Sequence, residues 1–427
     1  MKRSFFSALL LSAYLLSVFP IPLVLAQDRD ELQEQIDALE REIAQYQREI
    51  ESTSKEGDTL KNAIKQLSLT ASKLEADIKI TEKQIKKAQS DIGYLGNQIV
   101  EKSQTINIHQ QALAGTIRDL YVRDNNPVTI VLTGSDSLSE VVGELDTYKK
   151  LQEKFKTEAS SLRTTKIGLE TSRTKTETHK KELERLKSTL LDERKILKQS
   201  QIEKDALLKQ TANKEENYKK ILADRIAKQQ QFEAELREFE LNLETKFDVN
   251  SIPKPGTRVF SWPLAEILIT QQFGATVDSK RLYASGTHSG VDFRASVGTP
   301  VLAPADGVVV GVGDTDVTCP RASFGKWILI SYDNGLATAF GHLSLIKVTK
   351  GQKVVRGQVV GYSGNTGHST GPHLHISAYV ASAVTVSGKP SQACSGKTYI
   401  MPVAPPDAYL DPLSYLPKAS AAQFKTR

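Results

Sequence analysis

The stretch Gly371-Pro-His-Leu-His-Ile-Ser377 sets two of the chain's seven histidines on either side of one leucine. In an extended segment side chains alternate, so His373 and His375 share one face while Leu374 takes the other. Two imidazoles in one cleft can hold a metal or move protons. The cluster His288-Ser-Gly-Val-Asp292 offers a nitrogen and a carboxylate oxygen close together, and His342 stands in Phe-Gly-His-Leu-Ser. A hydrolytic zinc site takes three protein ligands and keeps one position open for water. His288, Asp292 and His375 make such a set for one Zn2+ per chain. Zinc held this way draws the pKa of its water toward about 7 and makes it a nucleophile. His342 and His373 are then left beside the metal to take the proton and to steady an oxyanion. Each fragment also has a plain alternative, because a lone His-X-His is often a pair of surface or core histidines and a lone His-X-X-X-Asp says less still. His368, between Gly367 and Ser369, reads as a loop residue.

These residues need a rigid frame, and the surrounding sequence supplies one. Gly-Val-Val-Val-Gly-Val-Gly, Lys-Trp-Ile-Leu-Ile-Ser-Tyr and Gly-Gln-Val-Val-Gly-Tyr-Ser-Gly are short β-branched runs separated by Gly, Pro, Asp and Asn, which predicts a mostly antiparallel β domain over residues 259–417. A tail, 418–427, follows. Upstream, 248–258 is a linker by its Pro and Gly content.

Residues 27–247 have a different character. From Leu32 to Leu120 apolar residues recur every seven positions, with isoleucine in one column (Ile36, Ile43, Ile50, Ile64) and leucine in the other (Leu39, Leu60, Leu67, Leu74). That is a coiled-coil seam, and about 90 residues of it would make a rod on the order of 130 Å. His109 falls in a seam slot. A second arm from Leu145 carries Tyr148, Phe155, Leu162, Leu169, Leu183, Leu190 and Leu197 at the same spacing, with weak stretches at 163–181 and 211–216. Between the arms lies a breaker containing Asn126-Pro127, so a tip is expected at about 121–144. The expected fold class is therefore modular α + β, a long antiparallel coiled-coil hairpin followed by the β domain. A parallel dimer of two chains would satisfy the same pattern.

The first 26 residues, with Lys2 and Arg3 before an apolar run ending in Val24-Leu-Ala26, read as a secretory signal cut after Ala26. An uncleaved anchor is the alternative. In an exported chain the two cysteines, Cys319 and Cys394, are expected to pair. Net charge is +6, divided as +6 over 248–427 and −2 over 27–247, which suits an anionic wall. Basic residues are not interleaved with aromatics, so no nucleic-acid partner is expected.

Phe260-Ser-Trp-Pro-Leu264, Gln-Gln-Phe-Gly, His-Ser-Gly-Val-Asp-Phe, Gly-Thr-Pro-Val-Leu-Ala-Pro-Ala-Asp-Gly-Val-Val, Phe-Gly-His-Leu-Ser and Ser-Thr-Gly-Pro-His-Leu-His-Ile-Ser together resemble the lysostaphin/LytM-type zinc endopeptidases, which cut peptide cross-bridges of bacterial peptidoglycan. The resemblance covers roughly 259–417. It implies His288, Asp292 and His375 as zinc ligands, His342 and His373 as catalytic histidines, and stem or cross-bridge peptides as substrate. Phe340 departs from the commoner tyrosine, and stretches around Cys319 and over 381–401 are additional. A second resemblance, over 117–151, is to the hairpin tip of EnvC- and PcsB-type division factors. It implies docking on a membrane transporter-like complex of the FtsEX type, in the periplasm or at the wall. The leading expectation is an exported endopeptidase gated by its coil. A non-catalytic adaptor that activates a separate hydrolase is the rival. A biotinyl-type carrier fails, since 361–367 holds no lysine.

Overall fold

The computed structural model describes residues 21–124, 138–243, 247, 252–276, 279–280, 285–321, 323–388 and 390–424. Most of the expected signal segment, the centre of the hairpin tip and the start of the linker lie outside the described residues.

Among the described residues four helices precede the sheet: α1 (Ile21–Lys55), α2 (Leu60–Asp124), α3 (Leu138–Thr211) and α4 (Glu215–Leu241). The heptad run from Leu32 to Leu120 is not one helix, which corrects the expected continuous rod. Glu51 to Thr59 holds no apolar residue, and the chain turns at Gly57 with φ +98°. The new helix start is satisfied locally and from afar: Thr59 Oγ1 accepts from Asn62 N at 3.2 Å and Glu215 Oε2 accepts from Leu60 N at 2.8 Å.

The described residues form two compact units. One comprises 1–38 and 81–187. There Lys87 Nζ donates to Gln33 Oε1 at 2.8 Å, so α1 lies beside α2. Lys102 Nζ donates to Ser172 Oγ at 2.7 Å and His109 Nδ1 meets Glu158 Oε2 at 2.6 Å. Residue numbers rise along α2 as they fall along α3, and this is the antiparallel hairpin. α3 runs unbroken through 163–181. It ends inside the second weak stretch, where Ala212 and Asn213 take φ of 46° and 56°.

The other unit comprises 39–80 and 188–427. Its strands are β1 (Ile269–Gln271), β2 (Val291–Arg294), β3 (Pro300–Leu302), β4 (Gly307–Asp314), β5 (Lys326–Tyr332), β6 (Leu336–Ile346), β7 (Lys353–Val354), β8 (Val359–Ser363), β9 (His373–Val380), β10 (Thr385–Ser387), β11 (Met401–Val403) and β12 (Tyr409–Leu410). The main path runs β1-β2-β9-β6-β5-β4-β7, antiparallel throughout, with β3 and β8 joined through β6. Alternation does the sorting: Phe293, Ile328, Ile330, Leu343, Leu374 and Ile376 enter one buried cluster, while Trp327, Leu329 and Tyr379 enter a second on the opposite face.

Helical segments of this unit pack on the sheet. Leu74 and Ile196 bury against Tyr362, whose hydroxyl donates to Asp192 Oδ2 at 3.2 Å. On the second cluster, Phe232 of α4 sets its ring edge-on to Tyr399 with centroids 4.5 Å apart, and Tyr409 Oη donates to Glu240 Oε1 at 2.5 Å.

Cys319 and Cys394 are joined, with Cα atoms 4.8 Å apart, and both are buried in the second cluster. The bridge spans a sequence separation of 75 residues. Cys319→Ser with Cys394→Ser is expected to lower the stability of this domain by about 4 kcal/mol, the loop-entropy contribution. Both tryptophans, Trp262 and Trp327, lie in the β domain, so denaturant titration followed by tryptophan fluorescence reads that domain alone. An unchanged midpoint would contradict the expectation.

Candidate metal centre and its flanking histidines

Three adjacent strands bring the polar residues together. On β2 and β9 Asp292 pairs directly with His375, and Phe293 pairs with Leu374, so the carboxylate and imidazole share the face that Leu374 leaves. On the other side of β9, Gly341 of β6 pairs with His375, which puts His342 next to it. His288 precedes β2 and is pinned by a two-way backbone bridge to Gly274: Gly274 N donates to His288 O at 2.9 Å and His288 N to Gly274 O at 3.0 Å. Gly290, between His288 and Asp292, has to be glycine. A Cβ there would lie 2.3 Å from Ile376 O and 2.7 Å from the His375 ring.

The donor atoms converge. His288 Nε2 lies 3.1 Å from His375 Nδ1 and 3.3 Å from Asp292 Oδ1, and His375 Nδ1 lies 2.9 Å from the same oxygen. A tetrahedral ion with ligands at about 2.0–2.1 Å has ligand-to-ligand edges of about 3.3 Å. The remaining ring nitrogens are already engaged. His288 Nδ1 donates to Gln272 O at 3.1 Å, and His375 Nε2 is hydrogen-bonded to Ser377 Oγ at 2.8 Å. Each imidazole can therefore offer a lone pair beside the carboxylate when a cation takes the place of the proton there, and three donor atoms so placed fit a bound cation. Among the described residues these three are the one His/Cys/Asp/Glu group with such convergence.

Burial opposes charge on Asp292, but His373, then His288, and hydrogen bonds from His288 and His375 hold its carboxyl well below the usual carboxylate range. Burial lowers His375 despite the neighbouring carboxylate. His342 is pushed well below the ordinary histidine range by burial, then by His373 and His375.

His342 and His373 stand beside the group and outside it. Their ring centroids are 4.6 Å apart, and His342 lies 5.8 Å from His375 by the same measure. His342 Nδ1 donates to Thr366 O at 2.8 Å and His373 Nδ1 to Gly371 O at 2.8 Å, which leaves each Nε2 free of those carbonyls. His373 Nε2 lies 3.6 Å from Asp292 Oδ1. His342 carries a second oddity, a φ of 59°, in a region that side chains other than glycine seldom adopt.

All five sequence-predicted residues are therefore in one place. His368 is not among the converging atoms; its amide donates to Ser323 O at 2.6 Å in the loop before β9, and burial, then His373 and Arg321, lower it to about 4. Sequence reasoning missed the orienting groups Gln272, Ser377 and Thr366. Ser377 was legible, since it follows His375 by one strand period.

Residues 286–387 match the model of peptidase family M23. That match lies wholly within the β domain. Over 137 residues the chain is 40% identical to peptidoglycan DD-endopeptidase ShyA of Vibrio cholerae, covering 32% of this chain and 26% of that one. It is 34% identical over 135 residues to cell division protein DipM of Caulobacter vibrioides, covering 32% of this chain and 20% of the relative. The catalytic domain of lysostaphin from Staphylococcus simulans aligns with 32% identity and a TM-score of 0.24, over 27% of this chain and 81% of that one. The chain spans about a quarter of the length of the first curated relatives it matches. No helix among the described residues is long and apolar enough to cross a membrane.

Proposed function

We propose that the chain is an exported zinc metalloendopeptidase that hydrolyses peptide cross-links of bacterial peptidoglycan. The carrying observation is the set of three converging donor atoms, with each imidazole held by a partner at its far nitrogen and two further histidines at the edge. His288, Asp292 and His375 would hold zinc. When bound there, zinc supplies Lewis acidity, polarising a carbonyl and making water acidic enough to attack near neutral pH. His342 and His373 accept and deliver protons through Nε2, because Nδ1 of each is committed to a backbone carbonyl. Asp292 keeps its negative charge in a buried place and so offsets that of a divalent cation.

The biological role we assign is cell division or wall remodelling, in the periplasm or at the wall, with the hairpin tip docking on a membrane complex of the FtsEX type. The coil acts as a gate. α4 supports this reading, since it seats Phe232 in the domain's second cluster and sends Arg237 Nη1 to Ser285 O at 3.5 Å, three residues before His288. Its seat is not fully matched. Burial pushes Glu240 up to about 7 against the hydrogen bond from Tyr409, and Glu235 Oε2 and the Tyr399 hydroxyl are buried without a hydrogen-bond partner. Such contacts come apart at less cost than a closed apolar core.

The test is mass analysis of muropeptides released from purified peptidoglycan by zinc-loaded full chain, the same chain with Phe232→Ala, and residues 252–427. Cross-linked dimers should become monomers with new peptide termini, and the rate should rise in that order. An absence of new termini in all three would overturn the activity. Equal rates would overturn the gate and leave the coil as a tether.

A further inference from the structure

The stretch around Cys319 lies between β4 and β5. It touches the segment Asn365-Thr366-Gly367 at several points. Arg321 Nη1 donates to Asn365 O at 2.5 Å and reaches Gly367 O at 3.5 Å. Asp316 ties both sides together, accepting from Arg321 N through Oδ1 at 2.6 Å and from Gly367 N through Oδ2 at 2.7 Å. Between the two gripped residues sits Thr366, whose carbonyl takes the Nδ1 proton of His342. The same stretch also holds His342 by its backbone, as Phe324 O accepts from His342 N at 2.7 Å.

His342 needs this support. A residue other than glycine at φ 59° persists only where its surroundings over-determine it. Its ring can also turn about the Cβ–Cγ bond unless an acceptor fixes Nδ1, and that acceptor is a carbonyl in a loop. A carbonyl in an unsupported loop would be a poor reference point. Arg321 and Asp316 make it a fixed one, with a guanidinium on the carbonyls either side of Thr366 and a carboxylate on the amide that follows it. The fit is close, since a Cβ on Gly367 would stand 2.0 Å from Ser323 O.

We infer that Arg321 and Asp316 are positioning residues for His342, acting through the Thr366 carbonyl, and that the stretch around Cys319 exists to carry them. The inference deepens the proposed endopeptidase reading and rests on it for its kinetic part. The hydrogen bonds of both residues go to the loop and not to the three converging ligand atoms. Their removal leaves zinc binding alone and reduces the fraction of molecules with the His342 ring in its working orientation, so it acts on kcat and not on KM.

The experiment uses the full chain with Arg321→Ala, Arg321→Lys and Asp316→Asn, each at equal zinc occupancy. On a soluble cross-linked muropeptide dimer, Arg321→Ala and Asp316→Asn are expected to lower kcat about 10- to 100-fold, the size seen when an orienting partner is lost, with KM within about twofold. Arg321→Lys, which still donates to one carbonyl, should recover part of the loss. The second readout needs no activity. With 15N-histidine labelling, the His342 Nδ1 proton should give a slowly exchanging resonance in the parent chain that disappears in Arg321→Ala and persists in Arg321→Lys. Unchanged kcat in Arg321→Ala, a loss confined to KM, or an intact Nδ1 resonance in that variant would each overturn the positioning role. If the parent chain cuts no muropeptide, the endopeptidase reading fails, and the resonance alone still decides whether Arg321 fixes the ring.

Discussion

Asp292→Ala is expected to empty the metal centre and abolish hydrolysis. The carboxylate lies on β2 directly opposite His375 and is within 3.3 Å of both ligand nitrogens. It is also the group whose charge the site is built to keep, because His373 and His288 hold it ionised against burial. Without it two neutral imidazoles remain, one short of the three protein ligands of a hydrolytic zinc site. Loss of an orienting partner alone costs about 10–100-fold in affinity or activity, and loss of a ligand should exceed that. The measurement is zinc per chain after dialysis against a mild chelator, beside the rate of muropeptide release. Asp292→Asn serves as the control for shape, since it keeps the volume and removes the charge. Full zinc occupancy in Asp292→Ala would show that the three atoms converge for another reason.

His342→Ala and His373→Ala should separate binding from chemistry. Neither belongs to the converging set, so zinc per chain should match that of the parent. Each has Nδ1 committed to a backbone carbonyl and its ring beside the converging group, the arrangement of a positioned acid or base. Removing such a group costs about 10² to 10⁴ in rate. His342 is held neutral by burial and by the neighbouring histidines, so it is available to take a proton rather than already carrying one. Parent rates in either variant would show that the wrong histidine carries the proton. A fall in zinc occupancy would move that histidine into the ligand set.

The sequence by itself determined which residues are candidates for the site and the broad architecture. His373 and His375 had to share a face because side chains alternate along any strand, and the register of β2 against β9 then placed Asp292 on that face. Cys319 and Cys394 could pair only with each other in one chain. The change from heptads to short β-branched runs separated helices from sheet.

Other features were decided by tertiary structure alone. The heptad columns run past Gly57 without losing phase, yet the helix stops there, because nine residues without an apolar anchor leave nothing to bury on that stretch. A column of sevens records which residues are apolar and not whether the chain between them continues. His288 gains its orientation from the carbonyl of Gln272, 16 residues away, and His342 gains its own from Thr366, 24 residues on. A backbone carbonyl has no residue type, so no motif can announce it. The positive φ of His342 and the grip of Arg321 and Asp316 on the loop belong to the same class. They arise where segments distant in sequence are packed against one another, and their energy lies in that packing.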